Sequence, residues 1–160
     1  MLSDQQRKRA FNTIILTQCL GMLSASFFQN GFFLNYFTKL GISSASVALL
    51  FAFPPLIGAF LMLPCAFLAD RTGKLRVGLI GQVLVVIGLF MTMAAGWFSQ
   101  KWVLPLMLMS ILIFSIGGTM QGASWFALLN PIIPKEIRGR FFGKLRVIFM
   151  TVSILFSLLI

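Results

Sequence analysis

Asp70, Arg71, Lys74 and Arg76 fall within nine residues, LADRTGKLR at 68–76, where a run without charge from Leu40 to Ala69 ends. The chain has three acidic residues in all, so a carboxylate set among three cations is not background. Such a group can pair with an arginine or complement a helix N-terminus.

A second set of polar residues is uncharged and lies inside the apolar runs. At 100° per residue, Gln18, Ser26 and Gln29 fall within about 80° of one another, with Asn30 at the edge. Ser110, Gly117, Gln121 and Ser124 form a comparable stripe, with Trp125 beside it. Amides and hydroxyls avoid lipid, so both stripes should face the protein interior or a water-filled cavity. There they either tie helices together or hydrogen-bond a hydroxylated or amide-bearing solute.

Other chemistry lacks material. The chain has no His, no carboxylate inside an apolar run and no paired acids or metal-ligand cluster. No catalytic residue, cofactor or metal is therefore expected. Cys19 and Cys65 lie far apart in separate runs and read as small packing residues.

The elements that carry these groups follow from composition. Of 160 residues, 59% are hydrophobic and 10% charged, against about 25% charged in an average globular domain. Uncharged runs cover Ala10–Thr38, Leu40–Ala69, Val77–Gln100, Trp102–Pro134 and Val147–Ile160. Four of them exceed the roughly 20 residues that cross a hydrocarbon core of about 30 Å. Segments of this kind satisfy their backbone in lipid only as helices. The fold class is thus an all-α polytopic membrane protein. Expected spans are approximately 11–38, 43–69, 77–99, 103–130 and 142–160, with no soluble domain. The fifth run reaches only about 21 Å, and the chain reads as a fragment truncated within its fifth span. The first run is too long for a signal-peptide core and reads as a retained span.

Thirteen basic residues against three acids give a net charge of +10. Their placement decides what that charge means. Successive flanks and connections hold Arg7, Lys8 and Arg9, then Lys39, then Arg71, Lys74 and Arg76, then Lys101, then Lys135, Arg138, Arg140, Lys144 and Arg146. Eleven fall on one side of the membrane and two on the other. This alternation is the positive-inside pattern and puts the N-terminus in the cytoplasm. A nucleic-acid partner would need one contiguous basic face, and none is expected.

Local signals fill in the spans. Ser43 or Ser44 can cap the second helix, and Pro54, Pro55 and Pro64 should bend it. Gly81, Gly88, Thr92 and Gly96 lie close to one face of the third span, and Gly118 and Gly122 are spaced four apart in the fourth. Both sets signal close helix packing. Trp97 and Trp102 flank Lys101 as interfacial aromatics do. Gln29 and Gln121 each lie 19 residues into their spans, an offset compatible with an inverted repeat.

LADRTGKLR resembles the cytoplasmic signature G-x-L-x-D-[RK]-x-G-[RK]-[RK] between helices two and three of the major facilitator superfamily. Leu68, Asp70, Arg71, Gly73 and Lys74 match it; Ala66 replaces its leading Gly, and Leu75 its second basic residue, with Arg76 following. The stretch PKEIRGRFFGKLR at 134–146 is similar to the loop between helices four and five. The resemblance covers nearly the whole chain but about five of twelve helices. It implies an MFS-type N-terminal bundle, the first part of a transporter that alternates between outward-open and inward-open states. Its partners would be a small-molecule solute, the lipid bilayer and a missing C-terminal half. In the family the acid matching Asp70 helps to hold the cytoplasmic side closed, with Arg71, Arg138 and Arg140 as candidate neighbours. Gly73 would allow the turn. Gln18, Ser26, Gln29, Asn30, Gln121, Ser124 and Trp125 are the candidates for contacting solute. The amides lean toward a neutral polar solute such as a sugar or an amphipathic drug-like compound. With no ionisable group in the first or fourth span, no proton relay is assigned here. The expected location is a bacterial inner (plasma) membrane. The other reading is a small non-transporting membrane subunit or an inactive gene fragment.

Overall fold

The computed structural model describes residues 32–129 and 138–158, with Ile15 and Ile133. Every element among them is helical. They are α1 (Phe32–Lys39), α2 (Ser44–Thr72), α3 (Lys74–Ala94), a 3-10 turn (Ala95–Trp97), α4 (Gln100–Leu129) and α5 (Arg138–Leu158). The chain divides into two compact units, Tyr36–Pro131 and Met1–Asn35 with Ile132–Ile160. Gln18, Cys19, Ser26, Gln29 and Asn30 lie outside the described residues, as does most of the expected first span.

In the Tyr36–Pro131 unit, α2, α3 and α4 are each long and apolar enough to cross a membrane. α4 is the central element: 44% of its most apolar stretch is buried, against 11% in α2 and 22% in α3. Cys65 and Ala69 of α2, Val77 of α3 and Met120 of α4 form the shared core.

The capping reading holds for α2. Ser43 has extended backbone, and its hydroxyl accepts from the Ser46 amide at 3.3 Å. Pro54, Pro55 and Pro64 withhold the donors that the carbonyls of Leu50, Phe51 and Phe60 would otherwise receive, yet the helix runs through all three. In lipid, side chains and neighbouring helices make such prolines tolerable.

The charges at 70–71 end the apolar run but not the helix, which continues to Thr72. The Thr72 hydroxyl donates back to Leu68 O at 2.8 Å. Gly73 alone separates α2 from α3. Its amide donates to Ala69 O at 3.1 Å and its carbonyl accepts from the Val77 amide at 3.2 Å, so one residue closes one helix and opens the next. This requires φ +104°, which L side chains rarely adopt. A Cβ at Gly73 would meet nothing within 4 Å. Gly73→Ala is therefore expected to destabilise by about 1–3 kcal/mol through backbone strain alone. Thermal unfolding of the purified chain in detergent checks this; an unchanged midpoint would remove the strain argument.

α3 and α4 approach most closely where side chains are absent. A Cβ on Gly81 would stand 2.7 Å from Gly117 O, and one on Gly88 2.8 Å from the Phe114 amide and Ser110 O. One on Gly117 would stand 2.5 Å from Gly81 O. Thr92 completes the seam, donating within hydrogen-bond distance of Ser110 Oγ at 3.0 Å and Gly88 O at 2.9 Å. The small-residue face of the third span is thus a packing seam, with two corrections. Gly96 lies in the 3-10 turn, where a Cβ would face the Tyr36 hydroxyl at 3.1 Å. Gly118 and Gly122 have no described residue within 4 Å of a built Cβ; the close contact belongs to Gly117, 100° away around the helix.

In the other unit, α5 opens with Arg138, whose Nε donates to Ile133 O at 3.3 Å. Arg140 lies exposed in the same first turn, and Leu145 is buried.

Candidate functional site

Two groups from the sequence can be placed. The first surrounds Gly73. Because α2 runs to Thr72, Asp70 sits on its last helical turn, and its carboxylate lies 3.6 Å from Lys74 Nζ across the joint. Asp70 is 70% exposed. Arg71, an expected neighbour, instead lies over the Phe67 ring at 4.3 Å, a cation–π contact that keeps its guanidinium beside apolar surface. α3 begins with Lys74 and Arg76 and no acid in its first turn, the reverse of what a helix dipole favours. Asp70 supplies the one negative charge of the 68–76 stretch. An open depression of about 470 Å³ lies here, lined by Ala69, Asp70, Thr72, Gly73, Lys74, Leu75, Arg76 and Leu128. Arg138 and Arg140 belong to the other unit.

The second group is the polar stripe of α4, and it faces α3. Ser110 is fully buried and donates to Met107 O at 2.9 Å. Ser124 is also fully buried; its hydroxyl donates to Met120 O at 2.9 Å, and a Cβ on Gly78 would stand 3.4 Å from it. Gln121 donates Nε2 to Gln82 Oε1 at 2.7 Å, a pair that remains exposed on the unit. Trp125 is half-buried on the next turn. So Ser110, bonded by Thr92, and Gln121 tie α4 to α3, Ser124 packs against α3 with its hydroxyl bonded inside its own helix, and Gln121 alone keeps an amide partly open. Sequence reasoning missed Gln82. The available signal was an amide in the middle of an otherwise apolar third span.

A family model described as Major Facilitator Superfamily matches residues 10–160. The chain belongs to the Major Facilitator Superfamily. Compared with curated proteins and with solved structures, it finds no match. As a member of a superfamily of transporters, and with three helices able to cross a bilayer, it is an integral membrane protein of transmembrane transport. Its fold is all-helical among the described residues, as that superfamily requires. The Gly73 joint is the turn within LADRTGKLR, and Asp70 lies at its exposed rim.

Proposed function

We propose that the chain forms the N-terminal part of a secondary active or facilitative transporter that moves a small solute by alternating access. The observation that carries this reading is the superfamily match over residues 10–160 together with the one-residue joint that displays Asp70. Asp70, Arg71, Gly73, Lys74 and Arg76, with Arg138 and Arg140, form the cytoplasmic gate and its signature. The N-terminus lies in the cytoplasm of a bacterial inner membrane, as the alternation of basic residues supports.

Gln18, Ser26, Gln29, Asn30, Gln121 and Trp125 contribute the solute-facing surface, with Gln82 added through its bond to Gln121 and Ser124 buried behind it. Uncharged amides favour a neutral solute that offers hydroxyls or amides in return. In this reading a C-terminal bundle would complete the site and the gate.

Uptake by the full-length protein in proteoliposomes tests this. Saturable uptake of a labelled neutral solute is expected from a panel of sugars and amphipathic compounds. Gln121→Leu is expected to raise the half-saturation concentration about tenfold or more, since it removes a hydrogen-bonding amide at the site. No saturable uptake across the panel would count against the transport reading.

A further inference from the structure

At the end of the Tyr36–Pro131 unit opposite Gly73, three chain segments meet. Tyr36, near the end of α1, lies with its hydroxyl 3.2 Å from both Thr92 O and Met93 O, where α3 tightens into its 3-10 turn. Gln100, the first residue of α4, donates Nε2 to Leu40 O at 2.9 Å. Two glycines make room for these contacts. A Cβ on Gly41 would stand 2.7 Å from Gln100 Nε2, and one on Gly96 3.1 Å from the Tyr36 hydroxyl. Gly41 also holds φ +75°, so the turn depends on it twice over. Beneath them Phe37 is buried, its ring 5.9 Å from that of Phe51 on α2.

We propose that Tyr36 and Gln100 form a latch that closes the end of α1 over the α3–α4 turn and releases it as one unit, with buried Phe37 as the pivot. The strengths of the contacts separate what holds from what lets go. One hydroxyl proton serves two carbonyls, both beyond the usual O–H···O range of about 2.5–3.0 Å. The Gln100 bond is exposed to its surroundings. Each such bond shifts an equilibrium by about 2- to 12-fold, so the two together favour closure by about 5- to 150-fold. A ligand that prefers the open form needs to offset only that factor to release the two bonds. Phe37, with its ring fully enclosed, does not release so cheaply. The latch goes beyond the transport reading and holds for either orientation in the membrane.

Hydrogen exchange on the 160-residue chain in lipid nanodiscs tests it. The amides of Leu40, Gly41 and Ile42 are bonded to Tyr36 O, Thr38 O and Phe37 O in the closed turn. Tyr36→Phe and Gln100→Ala are each expected to accelerate all three amides by a common factor of about five, and the double variant by about the product. The amides of Val47 and Leu50, in the buried part of α2, should keep their rates. The proposal fails if either single variant changes the three amides less than twofold. It also fails if only one of them responds, or if Val47 and Leu50 accelerate in parallel.

Discussion

Gly117→Ala is expected to lower the stability of the helical bundle by about 1–3 kcal/mol, and Gly118→Ala, one residue later, to leave it unchanged or slightly raised. The contrast follows from what each new methyl group would meet. At position 117 it would stand 2.5 Å from Gly81 O, 2.7 Å from the Val85 amide and 2.8 Å from Leu84 Cβ. Two of these three atoms belong to the α3 backbone, which cannot rotate away as a flexible side chain would. The helices must separate, and the seam from Gly81 to Thr92 loses contact along with the Thr92–Ser110 hydrogen bond. At position 118 the same methyl would have no described residue within 4 Å. Unfolding of both variants in mixed detergent, followed by tryptophan fluorescence, makes the comparison internal to one helix. Equal losses at the two positions would show that α3 and α4 do not meet through Gly117.

The second large effect is functional and leaves stability alone. In the full-length protein, Asp70→Asn is expected to reduce solute uptake about tenfold or more, with an unfolding midpoint within error of the parent. Within this unit Asp70 has one ion-pair partner, Lys74, at 3.6 Å, and 70% of its side chain is exposed. Exposed pairs four residues apart contribute only about 0.3–0.5 kcal/mol, so their loss hardly moves the folded state. A charge-assisted hydrogen bond made across a closed gate is worth about 1.5–3 kcal/mol, or roughly 10- to 100-fold in the balance between two conformations. The expected signature is lost transport in a well-folded protein, with conformational probes shifted toward the inward-open state. Normal uptake with an unchanged balance would exclude Asp70 from the gate. Lys74→Ala breaks the same local pair but keeps the carboxylate, so a smaller loss of uptake than with Asp70→Asn is expected.

Much of the fold was legible because lipid imposes simple rules. Long uncharged runs had to be helices, and α2, α3 and α4 lie where the runs at 40–69, 77–100 and 102–134 put them. Helix ends were less legible. Charge marks where a segment leaves hydrocarbon, whereas hydrogen bonding marks where a helix stops, and α2 carries Asp70 and Arg71 past the first boundary before Gly73 sets the second. The seam shows a similar limit. Gly81, Gly88 and Thr92 could be recognised as a small-residue face, but spacing alone did not say which side of α4 would receive it. Gly118 and Gly122 fit the same spacing rule, yet a Cβ on either would meet no described residue within 4 Å.

Polar partners were least legible where they came from distant segments. The stripe Ser110, Gly117, Gln121 and Ser124 was readable as inward-facing, since lipid disfavours it. That Gln82 would meet Gln121 depends on the relative height of two antiparallel helices, which no periodicity records. Tyr36 and Gln100 were invisible for the same reason. Their acceptors lie 56 to 60 residues away, and an exposed glutamine at a helix start has no pattern of its own.

The single residue between α2 and α3 also fixes how the two helices are phased. A longer loop could absorb an extra residue; Gly73 leaves nothing to absorb it. One residue inserted after Thr72 and taken up into α3 would turn that helix by about 100° and shift it by about 1.5 Å. Gly81 and Gly88 would then swing away from Gly117 and Phe114, and the bulkier neighbours on α3 would take their places. The length of this joint is therefore as much a specification of the bundle as the chemistry of its residues, and insertions or deletions here should be tolerated far less than at the opposite end, where Leu40–Ser43 gives four residues of slack between α1 and α2.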